Sequence, residues 1–206
     1  MSIRIRSLVV SCLVAATLAG FAGAAAATRI EATASTFIGA PLEVLLTVDD
    51  AIDPGKLVLT LSVSGPGDTL ADLVGFLTHV NDESLLAGLS VTGPEVRDVE
   101  ILANQIGGPG GASPCYCDLG FDIGTPGILQ DDLRSITFTI AHVTQSLDVS
   151  FLFGRSFGVD ATSVGPNRDR VSRLVGTLPV PEPGTALLMG LGLAGLASVR
   201  PGAREA

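Results

Sequence analysis

The sequence predicts an all-β domain, an antiparallel β-sandwich of jelly-roll or immunoglobulin-like type. Short runs rich in Val, Leu, Ile and Phe recur through residues 28–179, separated by Gly, Pro, Asp and Asn. Many short strands joined by turns are typical of such sandwiches. Several runs also alternate strictly, so that Ile136, Phe138 and Ile140 would share one face of a strand. The apolar content of 47% is too high for a disordered chain.

Ten segments carry this strand pattern. We expect strands near Arg29–Ile38, Leu42–Val48, Lys56–Ser64, Leu73–Val80, Leu89–Thr92, Val96–Leu102, Ile136–His142, Leu147–Phe153, Phe157–Val164 and Arg173–Gly176. The turn signal Asp53-Pro54-Gly55 predicts a hairpin, and a short helical turn is expected around Asp82–Leu86. Residues 104–130 are rich in Gly and are predicted to form a long irregular loop, which makes them the expected place for a site.

The N-terminal segment predicts export. Residues 1–27 combine the basic Arg4 and Arg6, an apolar run over Leu8–Phe21, and four alanines at Ala24–Ala27. This order is typical of a secretory signal peptide that is cleaved near Ala26 or Ala27, so we expect a signal helix here and passage through the inner membrane.

The C-terminal segment, residues 180–206, predicts contact with a membrane. Pro181-Glu182-Pro183 precedes an uncharged apolar run over Thr185–Val199, and Arg200 and Arg204 follow it as a membrane stop. As a transmembrane helix, the 15 residues from Thr185 to Val199 would span about 22 Å, against a hydrocarbon core of about 30 Å. This length suits a transient anchor better than a permanent one.

These C-terminal features resemble the PEP-CTERM sorting signal of Gram-negative surface proteins. The resemblance implies that an exosortase recognises Pro181, Glu182 and Pro183 and removes or exchanges the tail after transient anchoring in the inner membrane. It also implies a final place at the cell surface or outside the cell, often alongside exopolysaccharide and biofilm production. A plain tail anchor behind a Pro-rich linker is the alternative reading. The chain would then comprise residues 1–27, 28–179 and 180–206.

The charge of the central domain excludes one class of partner. Four of the 12 basic residues and two of the 21 acidic residues lie in the terminal segments, which leaves the domain a formal charge of −11. Such a domain repels nucleic acid, so no nucleic-acid partner is expected. The absence of Trp and the presence of one Tyr, Tyr116, argue against a polysaccharide site built on stacked aromatic rings.

Two cysteines and two histidines are candidates for a disulfide or for a metal site. Cys115 and Cys117 are expected to form a loop-clamping disulfide after export, with free thiols as the alternative. Two cysteines alone are too few for a zinc site. His79 and His142 are expected at the surface or at strand edges rather than in a shared metal site.

Acidic residues provide the remaining candidates. Asp118, Asp122, Asp131 and Asp132 in the irregular region are the preferred ligands if the domain binds calcium, and otherwise they cap turns; no other cofactor is expected. No Gly-x-Ser-x-Gly motif indicates a hydrolase nucleophile. The leading interpretation is therefore a non-enzymatic exported protein. The alternative is a calcium-dependent or polysaccharide-binding module, and the third reading is a hydrolase with paired carboxylates.

Overall fold

The computed structural model describes residues 28–65, 70–107, 115–125, 127–180 and 192. The predicted signal helix and the predicted membrane helix lie outside these residues. Within the described part of the chain, no helix has the length and apolarity needed to cross a membrane.

Ten strands and two short 3₁₀ helices form the described domain. The strands are β1 Arg29–Gly39, β2 Glu43–Asp49, β3 Leu57–Ser64, β4 Asp72–Thr78, β5 Leu89–Thr92, β6 Val96–Ile106, β7 Cys117–Ile123, β8 Ser135–His142, β9 Ser156–Val164 and β10 Arg170–Thr177. The 3₁₀ helices are Glu83–Gly88 and Val149–Leu152. The prediction of an all-β antiparallel domain is therefore confirmed.

All ten strands belong to one continuous sheet. Their order is β5-β8-β3-β2-β1-β10-β9-β4-β7-β6, and every neighbouring pair is antiparallel. The two edge strands, β5 and β6, follow each other in the chain and are joined by the turn Gly93–Glu95, where Val96 N donates to Gly93 O at 3.3 Å. Because so short a turn joins its two edges, the sheet must curl over on itself.

A cluster of phenylalanines fills the space inside the curled sheet. Phe76 of β4 and Phe138 of β8 have ring centroids 5.2 Å apart, although five strands separate β4 from β8 in the sheet order. Phe121 of β7 contacts Phe138 edge-on at 4.8 Å. These rings belong to a single apolar cluster with buried residues from nine strands, and Val96 and Ile101 of β6 pack against it, so the two halves of the sheet share one core.

The alternation of side chains positions this core as expected. Ile136, Phe138 and Ile140 are buried, whereas Ser135 before them and Thr137 between them are exposed. The predicted hairpin at Asp53-Pro54-Gly55 joins β2 to β3, and Lys56 N donates to Asp53 O at 3.0 Å. Gly55 has a φ of 88°, the left-handed conformation that glycine adopts without strain.

The structure corrects two of the predicted elements. The run Leu147–Phe153 was predicted as a strand, but Val149–Leu152 is a 3₁₀ helix, capped where Ser150 N donates to Asp148 Oδ1 at 2.8 Å. Consecutive Phe151 and Leu152 are both buried, which a strand facing the core on one side would not allow.

The prediction of an irregular loop over residues 104–130 is also wrong for the centre of that range. Cys117–Ile123 forms strand β7, which lies between β4 and β6 in the sheet. Strand β6 continues to Ile106, beyond its predicted end at Leu102. The sheet is therefore more extensive here than the glycine content indicated.

An acidic groove as the candidate functional site

A row of four charged residues and one glycine crosses five neighbouring strands on the outer face of the sheet. Gly75 of β4 is the Cα partner of Asp122 in β7 on one side and of Asp160 in β9 on the other. Beyond them, Arg97 of β6 is the partner of Asp122, and Arg173 of β10 is the partner of Asp160. We call these five residues the charged row.

Gly75 leaves a gap in the centre of the charged row. Neighbouring strands lie about 4.8 Å apart, so the Cα atoms of Asp122 and Asp160 are about 10 Å apart across it. Because Gly75 has no side chain, the two carboxylates border an open groove with a cavity volume of about 210 Å³. The other lining residues are Phe76, Leu77, Asp98, Glu100, Ile106, Gly107, Gly120 and Phe121.

Asp160 is the most unusual residue of the groove. The residue is 6% exposed, and its Oδ1 lies 3.5 Å from Nε of Arg173. Its other oxygen, Oδ2, is buried and has no hydrogen-bond partner among the described residues. Burial raises the pKa of Asp160, Arg173 lowers it, and the nearby charge of Asp122 raises it further. A buried carboxylate oxygen without a donor is rare, and it often indicates a functional group.

Asp122 lies in a strongly acidic environment on the other side of Gly75. Burial raises the pKa of Asp122, and the charges of Asp98 and Glu100 raise it further. Both of these residues belong to β6, where the register with β7 shifts between Arg97 and Glu100 and where Asp98 has a φ of 44°. This bulge brings two more carboxylates to the rim of the groove, which therefore attracts cations.

The groove lacks the ligand spacing of a closed metal site. Calcium–oxygen distances of about 2.3–2.6 Å place two ligand atoms of one ion within about 5 Å of each other. Among the described residues, the group of three potential metal ligands within 4.8 Å of one another is His79, Cys115 and Cys117, not the groove carboxylates. The groove thus offers negative charge around a wide opening rather than a compact cage.

The four aspartates predicted as calcium ligands lie in different environments. Asp118 is 1% exposed and serves a structural role: Oδ2 accepts from Val80 N at 2.9 Å and from the His79 ring, and Oδ1 accepts from Asn104 N at 2.7 Å. Asp122 lies four residues further along β7, in the groove. The structure therefore does not bring Asp118 and Asp122 to one site.

Asp131 and Asp132 lie in the loop between β7 and β8. Asp131 Oδ2 accepts from Thr125 N, and Asp132 forms an ion pair with Arg168. Nearby, Asp72 Oδ1 accepts from Leu133 N at 2.9 Å. Both predicted ligands already have protein partners, which agrees with the alternative that they stabilise the loop.

The predicted cysteine pair and the histidines occupy separate structural positions. Cys115 and Cys117 form a disulfide, with Cα atoms 5.2 Å apart, and the His79 ring lies beside their sulfurs. A disulfide offers no thiolate to a metal, so this group acts as a clamp at the start of β7. The ring of His142 lies elsewhere, where its Nδ1 accepts from Gln145 N at 2.9 Å in a turn.

Sequence reasoning missed Gly75, Asp98, Glu100 and Asp160. One signal pointed to Asp160, since it is the single charged residue in the strand Ser156–Val164. A charge inside an otherwise apolar or small-residue strand is costly unless it has a role. No signal in the sequence could place it opposite Gly75, because that depends on the register of β4 with β9.

The order of segments defines the class of protein: an exported β domain with a C-terminal sorting segment. Residues 179–200 match the PEP-CTERM protein-sorting motif, so the chain carries this motif directly after its described domain. The motif is the exosortase recognition signal, and it marks the chain for export, transient membrane anchoring and processing by an exosortase. Neither curated proteins nor solved structures give a match to the chain. Pro181, Glu182, Pro183, Arg200 and Arg204 lie outside the described residues.

Proposed function

We propose that the chain is a non-enzymatic surface or extracellular-matrix protein that an exosortase sorts and processes in a Gram-negative cell. Its final location would be the cell surface or the extracellular space, where it would act together with exopolysaccharide in a biofilm. The match of residues 179–200 to the sorting motif carries this proposal. The β domain would be the delivered part, and residues 1–27 would be removed as a signal peptide.

The arrangement of the chain supports transient anchoring. The last strand ends at Thr177, and the sorting motif begins at residue 179, so almost no linker separates the domain from the processing site. The apolar run of 15 residues would span about 22 Å, which is short for a bilayer core of about 30 Å. An anchor that short holds the chain weakly, which suits a segment that is later removed.

Intact-mass analysis of the exported protein tests this proposal. In an exosortase-positive host we expect a mature product that lacks residues 1–27 and the segment beyond the Pro181-Glu182-Pro183 motif. Glu182→Ala should leave the tail attached, whereas the matched control Glu205→Ala, which lies outside the matched motif, should be processed like the wild type. A wild-type product that still carries residues 181–206 in that host would overturn the proposal.

The groove favours a binding module as the second candidate function. Its carboxylates surround an open cavity, and Asp160 contributes a buried oxygen that has no hydrogen-bond partner in the part of the chain that the structure describes. We also propose that the curled sheet is a sandwich of jelly-roll or immunoglobulin-like type, which is supported by the ring contacts between its two halves.

A hydrolase is the third candidate, and one observation favours it. Asp122 and Asp160 form a carboxylate pair in a groove, and both have a raised pKa, from burial first and then from neighbouring acidic charges. Against catalysis, Asp122 and Asp160 lie on strands that β4 separates, and one oxygen of Asp160 already faces Arg173. Release of reducing ends from exopolysaccharide that Asp122→Asn abolishes would establish a hydrolase.

A further inference from the structure

We propose that the acidic groove binds a primary ammonium or guanidinium group carried on an aliphatic stem. The cationic group would lie over Gly75, between the carboxylates of Asp122 and Asp160, and the stem would lie along the apolar lining of the groove. This site is independent of the sorting function, because all its residues belong to the β domain.

One oxygen of Asp160 lies at the edge of the groove. Oδ1 faces Arg173, while Oδ2 is buried and has no hydrogen-bond donor among the described residues. The ideal Cβ position at Gly75 lies 3.8 Å from this Oδ2, which places the oxygen at the edge of the central gap. Leaving a charged oxygen buried without a donor is unfavourable, and an N–H donor entering over Gly75 would satisfy it.

The order of charges in the charged row favours a cation at its centre. Arg97 and Arg173 lie at its two ends, the aspartates come next, and the neutral Gly75 lies at the centre. A cationic ligand bound over Gly75 would therefore have a carboxylate on each side. Asp98 and Glu100 add two further negative charges that the arginines of the row do not balance.

The size and the lining of the groove favour an organic cation over a bare metal ion. Within the described part of the chain, the groove carboxylates are not among the ligand atoms that converge within 4.8 Å. The cavity of about 210 Å³ is several times larger than one water molecule, which occupies about 30 Å³. Its lining also includes Leu77 and Ile106, whose side chains belong to a small apolar cluster separate from the main core. They would contact methylene groups but offer nothing to a hydrated ion.

Free polyamines and the lysine or arginine side chains of a partner share this chemistry. The test is isothermal titration calorimetry of the exported mature protein with cadaverine, with Nα-acetyl-lysine methylamide, with the neutral isostere 1-pentanol and with CaCl₂. We expect both amines to bind and 1-pentanol not to bind. The tighter of the two amines identifies the source, a free diamine or a protein side chain.

Three variants locate the binding. Asp122→Asn should weaken amine binding at least about tenfold, as expected for loss of one charge-assisted contact. Gly75→Ala should weaken it as well and still fold, since the new Cβ would meet its nearest neighbours at 3.5–3.9 Å, an ordinary contact distance. Glu43→Gln, which removes an exposed carboxylate from β2, is the matched control and should bind like the wild type.

Three results would overturn the proposal. They are the absence of amine binding to the folded protein, binding that Gly75→Ala and Asp122→Asn leave unchanged, and calcium binding at the groove without amine binding. None of these results bears on tail processing, so the failure of this proposal and the failure of the sorting proposal can be told apart.

Discussion

Asp118 provides the strongest test of how the domain is held together. Its carboxylate is buried and accepts three hydrogen bonds, from Val80 N, Asn104 N and the His79 ring. These donors lie just beyond β4 and in the irregular part of β6, so one side chain ties both strands to β7. We predict that Asp118→Ala destabilises the domain more than any change of an exposed aspartate.

The magnitude follows from the donors that lose their acceptor. Asp118→Ala leaves two backbone N–H groups without their acceptor, at about 1–3 kcal/mol each, and removes the bond to His79. A loss of about 3–5 kcal/mol is a large part of the total stability of a typical domain, about 5–15 kcal/mol. In a domain of about 150 residues it would lower Tm by roughly 6–20 °C. Asp118→Asn keeps the volume and one acceptor oxygen, so it should cost less, about 2 kcal/mol.

The assay is thermal and urea unfolding followed by circular dichroism, since the chain has no Trp for fluorescence. The matched control is Glu43→Ala on β2, which removes an exposed carboxylate that accepts none of these bonds. An Asp118→Ala protein within about 0.5 kcal/mol of the wild type, the range of neutral surface changes, would refute the reasoning.

Two further predictions concern the pH dependence of stability and the packing of the sheet. In the folded state the pKa of Asp122 is raised above 3.8, so ionising it costs stability. Asp122→Asn should therefore be more stable than the wild type at neutral pH. This gain in stability should shrink as the pH falls through the pKa of Asp122 in the folded state, and it should vanish below 3.8. A difference in stability that does not depend on pH would contradict this prediction. Gly176→Ala should lower the free energy of unfolding, measured with urea, by about 1–3 kcal/mol. The reason is that the new Cβ would lie 2.5 Å from the Phe157 ring and 2.9 Å from Thr33 O. An unchanged free energy of unfolding would show that the ring moves freely.

The elements predicted correctly are those whose signal is local. Strict alternation located β3 and β8, and the turn residues Asp53-Pro54-Gly55 located the hairpin between β2 and β3. Strand β7 shows the limit of this reasoning, although Leu119, Phe121 and Ile123 do alternate there. Asp118, Gly120 and Asp122 alternate with these apolar residues and are of types common in turns. Contacts from other parts of the fold make them compatible with a strand. Asp118 receives three donors, and Gly120 admits the close approach of Ile106 and Leu77.

The prediction of a strand over Leu147–Phe153 was wrong for a related reason. Its apolar residues fit a strand as well as a short helix, and hydrophobic pattern alone cannot separate these two structures in a run of this length. The cap at Asp148 and the burial of both Phe151 and Leu152 favour the 3₁₀ helix over the strand. Such contacts depend on the rest of the fold.

The sequence by itself determined that this protein is a β domain carrying a sorting motif, because alternation and the Pro-Glu-Pro segment are both readable from neighbouring residues. Only the tertiary structure decided where its acidic groove lies. Gly75, Asp122 and Asp160 are far apart in the chain and meet because β4 lies between β7 and β9 in one register. Register is a property of the assembled sheet, since a shift of one residue would turn every side chain to the other face.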